Sequence, residues 1–249
     1  MSTPRFAGKH AVVTGAANGI GRATALRFAQ EGASLFLLDI EEAPLAATAD
    51  ECRGHGATVA TAAGDLTKRD VVEAAFAKAG VIDILFNNVG QSARERSKPF
   101  HESDPDTWQF VINVSLVTTM LVSRQVVPGM RERGAGKIIN MSTESAFYGD
   151  LGMVDYAAAK LGVIGFTRSL ARELAPHRVN VNAVAPGAIR TRAHDRLPKE
   201  VIDKVRNSVP MGFVAEPADV SGVVAFLASD DARYVTGQTM LIDGGRWMI

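Results

Sequence analysis

The chain has 249 residues, 47% of them hydrophobic, and its 27 basic and 27 acidic side chains cancel to a net charge of zero. That length suits one large α/β domain, and the charge balance excludes a general role on nucleic acid or at a membrane surface. A lone cysteine (Cys52), five scattered histidines, no apolar run of membrane-spanning length and no signal core at Met1 to Phe6 point to a cytoplasmic protein without disulfide, metal or membrane partner.

Lys9 to Thr14 reads as a buried strand, followed by the glycine-rich turn Gly15 to Gly21 and a helix from Arg22 to Glu31. Strand, glycine turn and helix together form a place where a pyrophosphate can approach backbone N–H groups at a helix N-terminus. Ser34 to Asp39 is a second apolar strand ending in an acid. An acid there, about 20 residues beyond the glycines, can accept hydrogen bonds from the adenosine ribose of NAD and repel the extra phosphate of NADP. It could instead cap the next helix, Ala43 to Cys52, which carries Pro44 in its first turn. Ala57 to Ala62 is a third strand, and Thr67 stands where it can cap a helix from Lys68 to Ala79. Ile82 to Asn87 is the fourth strand, and strands alternating with helices indicate a parallel sheet with right-handed crossovers.

The polar stretch Gln91 to Asp106 follows the end of that strand, where open α/β sheets bind ligands. A long helix from Thr107 to Val127 contains Asn113, a poor helix-interior residue. Either the helix bulges there and exposes a carbonyl to water, or Asn113 is a surface residue. Gly136 to Met141 is the fifth strand, and a helix runs from Tyr156 to about Leu174. On a helix Tyr156 and Lys160 share one face, a turn apart. A neighbouring ammonium lowers a phenol's pKa, so the pair suits proton exchange with a carbonyl or alcohol oxygen. Arg178 to Ala185 is the sixth strand, Arg190 to Met211 a charged candidate lid, Pro217 to Leu227 a helix, and Met240 to Asp243 a last strand.

Taken in order, T-G-A-A-N-G-I-G at Thr14 to Gly21, Asp65-Leu66, N-N-V-G at Asn87 to Gly90, Asn113, Y-A-A-A-K at Tyr156 to Lys160, P-G-A-I-R-T at Pro186 to Thr191 and I-D-G-G at Ile242 to Gly245 resemble the classical short-chain dehydrogenase/reductase family. The resemblance implies one α/β domain over residues 1–249 with a Rossmann fold: a doubly wound parallel sheet of about seven strands with helices on both faces. It implies Tyr156 as acid-base residue, Lys160 lowering its pKa and binding the nicotinamide ribose, Asn113 holding a water that links Lys160 to solvent, and Thr143 as the hydroxyl on the substrate oxygen. Gly15, Asn18, Gly19, Ile20, Gly21, Asp39, Ile40, Asp65, Leu66, Asn88, Gly90, Pro186, Gly187, Ile189 and Thr191 would line the cofactor, with Tyr156 and Lys160. A homotetramer or homodimer is implied as well.

Three positions depart from the family pattern. Thr143 stands where serine is usual, with Ser142 and Ser145 as flanking alternatives. Val89 replaces an alanine, and the stretch from Asp65 to Asn87 is about one helical turn short. The substrate stays open. Arg94, Arg96 and Lys98, with Arg190, Arg192, His194 and Arg196, form two basic loops that could grip an anionic small molecule or be ordinary solvated charge. Glu144, Phe147, Asp150 and Met153 stand where they would line the pocket, a mix that also suits a polyol or sugar. Two functions of different class follow: an NAD-dependent oxidoreductase acting on a secondary alcohol or ketone, and a non-catalytic dinucleotide sensor on the same fold. The joint presence of Asn113, Tyr156 and Lys160 favours the enzyme, since a sensor needs no proton path.

Overall fold

A computed structural model describes residues 4–191 and 199–248. Seven strands form one parallel sheet: β1 (His10–Thr14), β2 (Ser34–Asp39), β3 (Val59–Ala63), β4 (Ile84–Asn87), β5 (Gly136–Met141), β6 (Val179–Pro186) and β7 (Thr239–Ile242), in the order β3-β2-β1-β4-β5-β6-β7. Their near-continuous apolar runs suit a sheet covered on both faces. Every residue of β6 is buried, as are the last four of β1, whereas the edge strands β3 and β7 are more open.

The helices are α1 (Gly19–Gln30), α2 (Glu42–Gly54), α3 (Arg69–Phe76), α4 (Pro105–Ile112), α5 (Thr118–Arg133), α6 (Ser145–Tyr148), α7 (Val154–Leu174), α8 (Lys199–Asn207) and α9 (Pro217–Ala228). One core layer joins Val13, Leu35 and Leu37 of the sheet to Phe28, Leu45 and Val224 of α1, α2 and α9. The other joins Val12, Leu38, Leu85 and Ile138 to Val72, Val126 and Leu174 of α3, α5 and α7. Successive residues of a strand face opposite sides, so Val12 and Val13 serve different layers.

Several boundaries differ from the sequence-based expectation. Helix α1 begins at Gly19 rather than Arg22, so the glycine turn already forms its first turn. Thr67 does not cap α3: Asp65 Oδ1 accepts both its N–H (3.0 Å) and its hydroxyl (2.7 Å), and the helix starts at Arg69. That helix has only eight residues, consistent with the short stretch read between Asp65 and Asn87. Helix α5 runs on to Arg133, where Gly134 ends it in the left-handed region (φ 65°). Together, α4, α5 and the turn between them make 29 residues, long and apolar enough by composition to cross a membrane, which corrects the reading that no such run exists. Val111, Val122, Val126 and Met130 of this segment are buried in the protein core. In the expected lid, α8 occupies Lys199–Asn207, while Arg192, His194 and Arg196 lie outside the described residues.

Candidate active site

Strand order reverses between β1 and β4, and at such a switch point open α/β sheets bind ligands in a crevice outside the strand ends. Its floor is the glycine turn. A Cβ on Gly21 would lie 2.0 Å from Gly15 O, so no larger residue fits without moving backbone. Asn88 Nδ2 donates to Gly15 O (3.0 Å), and Thr14 Oγ1 accepts from the N–H groups of Asn88 (3.0 Å) and Val89 (3.3 Å). These bonds tie the β1 and β4 loops together across the switch point. Asn18 precedes α1, but its side chain donates to Glu41 Oε2 (2.7 Å) and makes no cap bond to the helix. The first N–H groups of α1 therefore remain donors for an anion.

At the β2 end of the crevice, the Asp39 carboxylate accepts from Ala17 N and Glu41 N, each at 2.9 Å. The alternative role in capping helix α2 is not what it does: Glu41 takes the N-cap position and Asp39 turns to the glycine turn. Ile40 beside it is an exposed apolar residue. Gly64 N donates to Asp39 O (2.9 Å), which brings Asp65 and the buried Leu66 alongside. Its bonds from Thr67 hold the Asp65 carboxyl below the ordinary range. Asp39, Ile40, Asp65 and Leu66 thus form one wall. The small backbone turn, the uncapped helix start and this acid-edged wall suit a dinucleotide.

The remaining candidates are Thr143, just after β5, and Tyr156 and Lys160 on α7. Alanines at 157, 158 and 159 favour the helix and place Tyr156 and Lys160 one turn apart. Buried polar bonds fix this helix against the sheet: Asn87 Nδ2 donates to Asn140 Oδ1 and Ser123 Oγ, and Asn140 Nδ2 to Thr167 Oγ1, each at 2.9 Å. Of the three candidate hydroxyls, Thr143 is the one whose proximity bears on the Tyr156 hydroxyl, while its own Oγ1 donates to Pro186 O (3.5 Å) and accepts from Ser145 N (3.3 Å). Ser142 Oγ instead donates to Lys160 O (3.0 Å), and Ser145 Oγ pairs with Tyr148 OH (3.3 Å).

The expected lowering of the tyrosine pKa is not what this geometry gives. Burial pushes Tyr156 up to about 12, opposed by the nearby Thr143 hydroxyl and the charge of Arg94. Lys160 is 2% exposed, its Nζ donates to Met141 O (2.8 Å), and it lies 5.9 Å from the Tyr156 ring centroid. Burial lowers its own pKa to about 8. At neutral pH Tyr156 is a neutral phenol, ready to donate a proton.

Asn113 opens a π-helical turn, Asn113–Val117, between α4 and α5. The expected bulge is present, but its carbonyl accepts both the N–H and the hydroxyl of Thr118 (3.0 Å for the latter) rather than facing water alone. The Asn113 side chain accepts from Gln109 Nε2 (2.9 Å). Gly90 leaves room for Lys160, since a Cβ there would meet Nζ at 2.7 Å. Beyond Pro186 and Gly187 at the end of β6, buried Ile189 bridges to Ala215, and Thr191 packs over Gly19 (3.6 Å to an added Cβ). That contact brings the β6 loop down onto the glycine turn.

Arg94 lies 3.7 Å from Asp150, and Arg96 sits over the Phe110 ring at 5.2 Å. Arg94 is therefore the member of the first basic loop whose charge reaches Tyr156. The buried Asn87–Asn140 pair and the partner of Glu144, Arg246, were not legible as site residues. Asparagine inside an apolar strand such as I-L-F-N was the available signal for the first. A bond across 102 residues gives none for the second.

The family described as "Enoyl-(Acyl carrier protein) reductase" matches residues 15–246 of this chain. A 3-oxoacyl-[acyl-carrier-protein] reductase of Thermotoga maritima is 42% identical over 245 residues, covering 97% of this chain and 98% of that protein. The (3R)-3-hydroxyacyl-CoA dehydrogenase of Homo sapiens is 36% identical over 248 residues, covering 96% and 95%. The crystal structure of a 3-oxoacyl-[acyl-carrier protein] reductase with bound NAD from Brucella melitensis superposes with a TM-score of 0.92 at 35% identity, covering 99% of this chain and 94% of that one.

Proposed function

Because this chain belongs to the classical short-chain dehydrogenase/reductase family, whose relatives here are oxidoreductases of ketones and alcohols, we propose that it interconverts a secondary alcohol and a ketone with NAD(H), using Tyr156 as the acid-base residue. The observation that carries this reading is the placement of Thr143 beside the half-buried Tyr156, one helical turn from the buried Lys160. Bound NAD(H) supplies or accepts the hydride. The chain's own share is positioning and proton transfer. Thr143 orients the substrate oxygen, and Tyr156 Oη gives that oxygen a proton on reduction and takes it back on oxidation. Lys160 binds the nicotinamide ribose and favours the phenolate when Tyr156 has given up its proton. Asn113 steadies the π turn beside this path and a water leading from Lys160 to solvent. Gly15, Asn18, Gly19, Ile20 and Gly21 hold the pyrophosphate. Asn88 and Gly90 line the groove, and Pro186, Gly187, Ile189 and Thr191 hold the carboxamide.

The preference for NAD over NADP rests on Asp39, supported by Glu41 next to it across Asn18. Two carboxylates there leave no welcome for a ribose phosphate. Substrates are acyl thioesters, hydroxy acids, or sugar and polyol alcohols, with 3-oxoacyl thioesters first in view of the relatives. The enzyme is proposed to be cytoplasmic and homotetrameric, with Met120 of α5, Leu161 of α7 and Met248 of the tail as exposed apolar contacts.

The test is nicotinamide absorbance with a panel of these ketones and alcohols, together with binding titrations of both cofactors. Wild-type protein is expected to bind NAD more tightly than NADP. Asp39→Asn keeps the size of the side chain, removes the charge, and should weaken NAD about 10-fold while narrowing the gap to NADP. Tighter NADP binding by the wild type would refute the Asp39 argument. Cofactor binding with no turnover across the panel would favour the sensor.

A further inference from the structure

Resting on the oxidoreductase reading above, we propose that Arg246, in the tail after β7, is a positioning residue for the reaction: its bond to Glu144 clamps the loop that carries Thr143. Glu144 directly follows Thr143 and is 4% exposed. Its backbone N–H donates to Pro186 O (3.0 Å), joining the ends of β5 and β6. Its Oε1 accepts from Arg246 Nη1 (2.6 Å). Its Oε2 is buried without a hydrogen-bond partner, against Gly187, where an added Cβ would come within 2.7 Å. The carboxylate therefore occupies the space that Gly187 leaves, and the proposed nicotinamide loop rests on it.

The tail is shaped for this contact. Asp243 accepts from Gly245 N (3.0 Å) and Trp247 N (2.7 Å), folding the chain back after β7. Arg246 then lies over the Tyr148 ring (5.6 Å), and Trp247 stacks on the same ring (4.6 Å, 16° between planes). Helix α6 is held by the tail at Tyr148, and the residue before α6 is held at Glu144. The charged groups facing Glu144 are Arg246 and Asp243 of the tail and Asp150 of the loop before α7. Burial pushes the Glu144 carboxyl above its usual range, and the two aspartates add to that, while Arg246 opposes it. Without the guanidinium, an ionised Glu144 would be buried beside Asp243 with no counter-charge. Its protonated form would fit and its ionised form would force the loop open.

Arg246→Met is expected to lower kcat about 10–100-fold at pH 8, with cofactor KM changed less than about threefold, because a slightly misplaced Thr143 costs rate rather than cofactor contacts. The loss should shrink as pH falls and Glu144 takes its proton. Glu144→Gln combined with Arg246→Met removes the buried charge, so it should recover most of kcat and the wild-type pH profile. A second readout needs no substrate: emission of Trp247 in a Trp108→Phe background. It should shift to the red as pH rises in the Arg246→Met protein and stay fixed in the double variant. Wild-type kcat and unshifted emission in the single variant would overturn the clamp, as would a double variant no better than the single one. If the wild type turns over nothing, the oxidoreductase reading falls separately, and the emission alone decides the clamp.

Discussion

Tyr156→Phe should lower turnover by about 10²–10⁴-fold, the range that general acid-base catalysis contributes. Phenylalanine keeps the ring, so packing against the cluster of Ala93, Val111 and Ala159 is preserved. Only the hydroxyl beside Thr143 is lost. The cofactor should bind as before, because the glycine turn and Asp39 are untouched. The expected signature is therefore a fall in kcat with a cofactor dissociation constant unchanged within about threefold, read by stopped-flow absorbance and by titration. With a tyrosine pushed up to about 12, the resting residue is the acid form. Reduction of a ketone should then proceed without prior ionisation, and alcohol oxidation should accelerate as pH rises. Undiminished turnover in the phenylalanine variant would remove Tyr156 from the chemistry.

The second large effect runs in opposite directions for activity and stability. Lys160→Met should abolish measurable turnover, yet the purified protein without added NAD should be more stable than the wild type at pH 7. The lysine is buried, with Met141 O as the acceptor of its ammonium. Its pKa falls from 10.5 to about 8. That depression corresponds to roughly 3 kcal/mol of burial cost in the charged form. The sign is fixed by linkage: the unfolded chain holds this proton up to pH 10.5 and the folded chain only up to about 8. The cost is full below pH 8 and is relieved between pH 8 and 10.5, so this residue makes wild-type stability rise across that window. Methionine fills a similar volume without charge and removes the pH dependence. The lost bond to Met141 O offsets part of the gain, leaving about 1–2 kcal/mol at pH 7, or several degrees in Tm. Calorimetry from pH 7 to 10 would check this, and a variant less stable than wild type at pH 7 would show that the buried ammonium is not a burden. Retention of such a residue implies that it is kept for function.

Much of the frame was legible because parallel strands buried on both faces read as apolar runs. The bounds of β2 and β5 were read correctly from S-L-F-L-L-D and G-K-I-I-N-M. The Asn113 bulge was legible too, since a residue that competes for backbone bonds stood inside an apolar helix. What Thr118 does to the bulge was not, because the donor that satisfies a carbonyl depends on a five-residue register that only the turn itself creates. The tyrosine pKa was misjudged in sign for a simpler reason. Spacing along a helix gives which charges are near, while depth beneath the surface comes from the packing of β5, α6 and the basic loop together. Arg246 illustrates the same limit: its partner is fixed by a turn at Asp243, and a tail of mixed residues gives no hint of where it lands.

The switch of direction between β1 and β4 also divides the chain in time. Residues as far as Leu66 make up β1, β2, β3, the glycine turn and Asp39, whereas Asn88, which ties the β4 loop to Gly15, and Thr191, which packs over Gly19, come later in the chain. Tyr156 and Lys160 arrive about 90 residues after Leu66, which at ~5–20 residues per second is several seconds of synthesis. A chain stalled just short of Tyr156 would have Asn88 but not Thr191, so the glycine turn would be tied on one side only.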